Sequence, residues 1–381
     1  MIKEKSKNIL YILGFLEGHI TSTIKLVEDL VSLGHNIYCY VSEQYAERFK
    51  NTGAKLEVFS INKEPLSEIS YPDFIMFRNL ESILSQAAKD KKKYDYLLVD
   101  SLFDGKAINK IFKASTVISI HTLQHSYFPE DFVKQIEKKI VKLMSSLNKK
   151  YNIDLKSPYE IVAHPNADYK LVLTSKEFQS SKAQIDDSFY FIGPSSFEEK
   201  PIDKSFPFKK DSSKKLIYIS LGTLFNDNIE FFKLCIKAFA FSKEFQLILS
   251  VGKACDLKVF GNPPDNVYIY NFVPQNQILK EAEIFISHGG LNSINESLLM
   301  FKKPLIVVPQ FSDQFDNAGQ IKLFEAGIVL EKEKVNEEAI KNAVNSLIVE
   351  EEKYKRGVQK IVESFEKAKN ERKSILEKIL I

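Results

Sequence analysis

One stretch constrains the fold more than any other. Residues 284–287 read Ile-Phe-Ile-Ser, an apolar run of strand length, and they end in His288-Gly289-Gly290. A helix-compatible run follows, then a second apolar run at 305–308 that ends in Pro-Gln-Phe-Ser-Asp-Gln. Strand, glycine turn, helix and strand make a βαβ unit, whose crossover demands a parallel sheet. The same unit builds an anion site. The free N–H groups of the helix's first turn and the helix dipole both face whatever sits beyond the strand. His288, Asn292 and Ser293 add donors there, and Glu296 shares a helix face with Asn292. Asp313 and Gln314 follow the next strand at the same carboxyl edge, where open α/β sheets bind ligands. A diphosphate on one side and sugar hydroxyls on the other fit this layout.

The alternation extends through the whole chain. A strand over 8–16, a turn at Gly18, a helix over 21–33 stopped by Gly34 and a strand over 36–41 form the first unit. Strands at 55–59, 96–99, 116–120 and 171–173 and helices at about 81–92 and 132–147 continue it. The stretch 195–215 is polar, with Pro201 and Pro207, and reads as an inter-domain linker. A second series then runs through strands at 216–221, 246–251, 267–269, 284–287, 305–308 and 328–329, with helices at 229–241, 336–348 and 353–379. The fold class is α/β with two βαβ-rich domains facing across a cleft. Their expected bounds are 1–200 and 216–365, with the linker at 201–215 and a last helix over 366–381. The two halves agree in pattern, and no motif repeats between them residue by residue.

Gross properties exclude several classes. A chain of 381 residues with 44% hydrophobic and 27% charged residues is an ordinary globular protein of two domains. A net charge of +3, with lysines spread among carboxylates, argues against a nucleic-acid partner. Cys39, Cys235 and Cys255 lie far apart, form no metal or redox motif, and suit a reducing cytoplasm. The apolar N-terminal run ends in Glu17-Gly18-His19 rather than a cleavage site, so it reads as a first strand. No run approaches the ~18 apolar residues of a membrane span. The 132–147 segment sets Ile136, Ile140, Leu143 and Leu147 against Lys134, Lys138 and Lys142. That pattern predicts a packed helix with a solvated lysine face, a membrane-surface helix being the alternative.

Phe272-Val273-Pro274-Gln275, His288-Gly289-Gly290-Leu291-Asn292-Ser293, Glu296, Pro304, Pro309 and Asp313-Gln314 together resemble the donor signature of the UDP-glycosyltransferases. Gly18-His19, Asp100, Ser220-Leu221-Gly222-Thr223 and Ser250-Val251-Gly252-Lys253 resemble its bacterial macrolide-glycosyltransferase branch. The resemblance implies a GT-B fold, with the acceptor on the N-terminal domain and the nucleotide sugar on the C-terminal one. The last helix often crosses back to the N-terminal domain. It further implies that Phe272 stacks on uracil, the Val273 backbone bonds the base, and Gln275 and Glu296 hold the ribose. Thr223, His288, Gly290, Asn292 and Ser293 hold the diphosphate, and Asp313 and Gln314 the sugar.

His19 follows a strand at the predicted cleft, and an imidazole titrating near ~6.5 can take a proton at neutral pH. Asp100 ends another strand of the same sheet. It can orient His19, or alternatively cap the helix that follows. The implied reaction is inverting transfer of a hexose such as glucose from a UDP-sugar to a hydroxyl of an apolar small molecule. No Asp-x-Asp motif occurs, so no metal and no cofactor is expected beyond the donor substrate. Phe15, Phe74, Phe77, Phe103, His121, Tyr127 and Phe128 are candidate acceptor-wall residues, with ordinary core as their alternative. A membrane-surface lipid glycosyltransferase and a non-catalytic nucleotide-sugar-binding protein are the rival functions. Monomer and homodimer both stay open. The link from Glu296 to Pro304 departs from the family pattern, being one residue longer and lacking a glycine, which predicts a frayed or tightened helix end there. Thr21-Ser22 also replaces the branch's Asn-Pro.

Overall fold

The structure is a computed structural model. It describes residues 6–60, 73–124, 130–157, 160–161, 164–195, 202–223, 228–311 and 313–381, without the side chains of 73–78 and 130–139. The chain divides into unit 1, Met1–Ser196 with Phe365–Ile381, and unit 2, Phe197–Ser364.

In unit 1 the strands are β1 (Asn8–Ile12), β2 (Asn36–Ser42), β3 (Lys55–Phe59), β4 (Tyr96–Asp100), β5 (Thr116–His121), β6 (Tyr169–Val172) and β7 (Phe189–Phe191). Between them run α1 (Glu17–Ser32), α2 (Ala46–Phe49), α3 (Asp73–Lys89), α4 (Gly105–Phe112) and α5 (Glu130–Tyr151). The strands pair in parallel in the order β3-β2-β1-β4-β5-β6-β7. Strand residues alternate between faces, so β1 and β4 feed two cores at once. Leu10, Ile12, Leu97 and Val99 pack with Ile83, Leu84, Ile140 and Leu147. Ile9, Tyr11, Leu13 and Leu98 pack with Ile20, Leu26, Val27 and Leu30 of α1. Ile140, Met144 and Leu147 thus spend the described apolar face of α5 on the core, with Val141 exposed. This is the packed-helix reading of that segment. Among the described residues no helix is long and apolar enough to cross a membrane.

In unit 2 the strands are β8 (Lys215–Ser220), β9 (Phe245–Ser250), β10 (Val267–Tyr270), β11 (Ile284–Ser287), β12 (Leu305–Val307) and β13 (Gly327–Val329). The helices are α6 (Ile229–Phe239), α7 (Gln275–Glu281), α8 (Leu291–Asn295), α9 (Asp313–Leu323), α10 (Glu337–Val349) and α11 (Glu351–Ile379). The strands again pair in parallel, in the order β10-β9-β8-β11-β12-β13. Each sheet therefore reverses direction once, at β1/β4 and at β8/β11. Those are the switch points at which doubly wound sheets open a crevice.

Several expectations change. Helix α1 starts at Glu17, so Gly18 and His19 lie in its first turn rather than before it. Residues 202–214 are no free linker. Phe206 and Phe208 pack their rings on Tyr270 and Tyr268 at 4.9 and 5.1 Å, and the Asp203 N–H donates to Gln277 Oε1. Two aromatics in a polar stretch were the sign that it docks. From Phe365 onward α11 belongs to unit 1. There buried Arg372 donates to the carbonyls of Ile192, Gly193 and Pro194 and pairs with Asp29 at 3.1 Å.

Candidate active site

At the unit 1 switch point, His19 Nδ1 lies 2.8 Å from Asp100 Oδ2. A carboxylate only accepts, so Nδ1 carries the proton and the ring's lone pair sits on Nε2, the tautomer a general base requires. The other carboxylate oxygen, Oδ1, accepts from the Leu102 N–H at 3.1 Å. The His19 side chain is 16% exposed and that of Asp100 only 2%, which keeps the proton-accepting ring within reach of a ligand and its orienting group out of water. Asp100 does not cap the following helix. Asp104 does, accepting from the Ala107 N–H at 3.0 Å. The sequence reading missed Gly14. A Cβ at this position would lie 2.5 Å from Asp100 Oδ2, so the carboxylate occupies the space a side chain would take.

The acceptor-wall candidates separate. Phe15 and Phe103 are both buried and meet edge-on at 5.9 Å, within the core. His121 is buried with Nε2 2.7 Å from Ser119 Oγ. Phe15 and Phe103 thus sit in the core. Phe74 and Phe77 fall on α3 with side chains outside the described residues, and Tyr127 and Phe128 lie outside them altogether.

At the unit 2 switch point three neighbouring strands end alike. Ser250-Val251-Gly252, Ser220-Leu221-Gly222 and Ser287-His288-Gly289 close β9, β8 and β11, and the three serines stand side by side in register. All three glycines have left-handed φ, of 92°, 81° and 83°. Ser220 and Ser287 accept from the N–H of their own glycine at 3.3 and 3.2 Å. The sequence reading met all three segments without noticing that they repeat.

His288 emerges from this row. A Cβ on Gly222 would lie 2.6 Å from its Nε2, and one on Gly290 closer still, so the bare glycines make room for the ring as it stands. Burial pushes the imidazole down to about 4, and Nδ1 is buried with no hydrogen-bond partner. At neutral pH the ring is therefore neutral. Such a ring offers a phosphate oxygen an N–H but no charge, and a bound dianion would raise its pKa. Gly290 is the N-cap of α8, Asn292 is half-buried, Ser293 is buried and Thr223 is exposed.

Phe272 is 64% exposed, so its ring face is open to a ligand, while Val273 is buried. The Asn271 amide beside them donates to the carbonyls of Gly252 and Cys255, which pins the adjacent turn. Gln275 Nε2 donates to Glu296 Oε2 and to Ser293 Oγ, and Gln275 Oε1 accepts from the Tyr218 hydroxyl at 3.1 Å. Gln314 Oε1 accepts from the N–H groups of Gln310 and Phe311, so its Nε2 is the part left to serve a ligand. Asp313 opens α9, where Asn317 bridges its carboxylate to the Gly289 carbonyl. Asn317 was legible as a polar residue one turn past Asp313, and it ties α9 to the His-Gly-Gly turn.

The helix after Glu296 neither frays nor tightens. It widens into a π-turn, Glu296–Met300, which is how a helix absorbs an added residue. Lys302, at φ 53°, takes the left-handed position a glycine would fill. Lys303 then sends its ammonium to the carbonyls of Leu279, Lys280 and Ala282 at the end of α7, and burial lowers it to about 8. Among the described residues no group of three His, Cys, Asp or Glu side chains could hold a metal ion.

Comparison with known proteins places the chain in a family. Residues 167–367, more than half of the chain, match the family described as UDP-glucoronosyl and UDP-glucosyl transferase. The NDP-glycosyltransferase YjiC of Bacillus subtilis is 31% identical over 354 residues, covering 88% of this chain and 87% of that protein. The uncharacterized UDP-glucosyltransferase YojK of the same organism is 28% identical over 395 residues, covering 95% of each. Among solved structures, the glycotransferase of kitacinnamycin superposes with a TM-score of 0.77 at 21% identity, covering 98% of this chain and 99% of that one. With its paired switch-point sites, the chain belongs to the UDP-glycosyltransferase family, in the branch of the bacterial macrolide glycosyltransferases, and has the GT-B fold.

Proposed function

We propose that this glycosyltransferase moves a hexose such as glucose from a UDP-sugar to a hydroxyl of an apolar small molecule, with inversion and without a metal. The His19–Asp100 pair carries the reading, being oriented and shielded as a general base requires. The acceptor oxygen attacks the anomeric carbon as the bond from that carbon to the phosphate oxygen breaks. UDP leaves with the bonding electrons, and the acceptor proton passes to His19 Nε2. Hydrogen bonds from the turn at Gly290, Asn292 and Ser293 and from neutral His288 meet the charge that builds on the diphosphate. Phe272 and the Val273 backbone take the base, Glu296 the ribose, and Asp313 with Gln314 Nε2 the sugar. Thr223 stands at the diphosphate end. The absence of an Asp-x-Asp motif from the sequence supports metal independence, and three free cysteines support a cytoplasmic setting.

The test is a set of UDP-sugars titrated calorimetrically, followed by mass spectrometry of pooled apolar acceptors with and without EDTA. Glycosylated product of inverted anomeric configuration, unaffected by EDTA, is expected. Retention of configuration, or a loss of turnover that Mg²⁺ restores, would overturn the mechanism. Nucleotide binding without turnover on any acceptor would point to a non-catalytic role.

A further inference from the structure

Gln275 donates from Nε2 to Glu296 Oε2 and Ser293 Oγ while its Oε1 accepts from Tyr218. The direction is not arbitrary. A carboxylate can only accept, so the NH₂ end must face Glu296 and the carbonyl end must face the tyrosine hydroxyl. The amide is thereby held at both ends by protein groups. That is the arrangement of a brace.

Tyr218 is a rigid anchor for the brace. It is 1% exposed, and its ring lies flat on Phe285 of the neighbouring strand, with centroids 5.0 Å apart and planes 6° apart. Burial pushes the pKa of its hydroxyl well above the ordinary tyrosine range, with the Glu296 charge adding to the effect, so the group stays protonated and remains a donor. Glu296 is the first residue of the π-turn.

We propose that Tyr218 is a positioning residue of the donor site: acting through Gln275, it fixes the Glu296 carboxylate in the orientation that accepts the vicinal hydroxyls of the nucleotide's ribose. The proposal rests on the donor-site reading above. It assigns Tyr218 no contact with the ligand and predicts that its loss is felt through the sugar hydroxyls alone.

Tyr218→Phe keeps the ring stack and removes only the hydroxyl. The probes are UDP and 2′,3′-dideoxy-UDP, titrated calorimetrically against the wild type and the variant. The wild type should prefer UDP. The variant should bind UDP about five- to tenfold more weakly, as the loss of one well-placed hydrogen bond implies. Its affinity for 2′,3′-dideoxy-UDP, which has neither hydroxyl, should change less than about twofold, so the preference collapses. Equal weakening for both nucleotides, or an unchanged preference in a folded variant, would overturn the proposal. If Tyr218→Phe proves unstable, half-buried Gln275→Met breaks the same relay while leaving the core in place, and the same collapse is expected. A wild type that binds neither nucleotide would overturn the donor-site reading itself, an outcome distinct from failure of the relay.

Discussion

Asp100→Asn separates orientation from bulk at the candidate base. Each carboxylate oxygen of Asp100 has a task, Oδ2 facing His19 Nδ1 and Oδ1 accepting from the Leu102 N–H. An amide has only one accepting atom, so it must disappoint one of the two. Turning its NH₂ toward the Leu102 N–H leaves that donor unsatisfied, at a cost of about 1–3 kcal/mol. The amide will instead keep its oxygen on Leu102 and present NH₂ to the imidazole. His19 must then accept at Nδ1 and carry its proton on Nε2, which can no longer take one from the acceptor. The productive tautomer falls to roughly one part in five to one in a hundred and fifty. The imidazolium formed in the reaction also loses its counter-charge, worth up to about 4 kcal/mol at contact distance in a partly shielded site. Together these give a fall in kcat of about 10²–10⁴-fold, the range of a lost general base. Steady-state kinetics with a saturating UDP-sugar measures it, with UDP affinity and thermal stability as controls. The double variant His19→Ala/Asp100→Asn should be no slower than His19→Ala, since the two residues act as one unit. A single variant within about threefold of wild type, or a double variant as slow as the product of the two effects, would refute the reasoning.

Gly14→Ala should cost turnover by a similar factor with a loss of only about 1–3 kcal/mol in stability, because its methyl would strike Asp100 Oδ2; unchanged kcat counts against the close approach. Lys303→Met removes the ammonium from the carbonyls of Leu279, Lys280 and Ala282, and a thermal melt should fall by about 2–4 °C for each of the ~1–3 kcal/mol lost; a melt at the wild-type temperature counts against the cap. Burial holds folded His288 at about 4, below the ~6.5 of an unfolded chain, so its stabilising effect is complete above pH ~6.5 and disappears as pH falls toward 4. His288→Gln should flatten the pH dependence of the denaturation midpoint in that window, and an unaltered slope would show that the ring titrates normally.

The parts of the site carried by residue type were legible in the sequence. A histidine and paired glycines after an apolar run, with a glutamate on the helix beyond, point to a strand-end ligand site whatever the rest of the chain does. What stayed hidden depends on position rather than type. Tyr218 sits in an apolar strand and looks like one more core aromatic until its hydroxyl is found on Gln275. Gly14 carries no mark of its own, because its value lies in what the neighbouring strand places against it. The start of α1 was misplaced because Gly18 is a poor helix former and the N-cap, Leu16, makes no side-chain cap. The link after Glu296 gave a countable signal, an added residue without glycine. Sequence alone does not say whether a helix meets such an insertion by breaking or by widening.

The two switch points turn out to use one device. Ile12 stands in register with Val99, and Ser220 with Ser287. Counted from those pairs, Gly14 and Gly222 occupy the same place, two residues on, and Asp100 and His288 occupy the same place, one residue on. In each unit a bare glycine on the first strand's end makes room for an ionisable side chain leaning from the fourth strand, with an added Cβ 2.5 and 2.6 Å from its polar tip. The repeat between the halves is thus one of register, invisible to a residue-by-residue search because an aspartate matches a histidine. Leaning across a neighbouring strand buries the group, and burial disfavours its charged form. Asp100 accepts from the Leu102 N–H and lies against the His19 ring. His288 has no partner at Nδ1 and gives up its proton, so it remains a neutral donor until an anion arrives. One piece of backbone geometry, supplied with different partners, therefore yields a carboxylate hydrogen-bonded to a histidine in one unit and a buried neutral imidazole in the other.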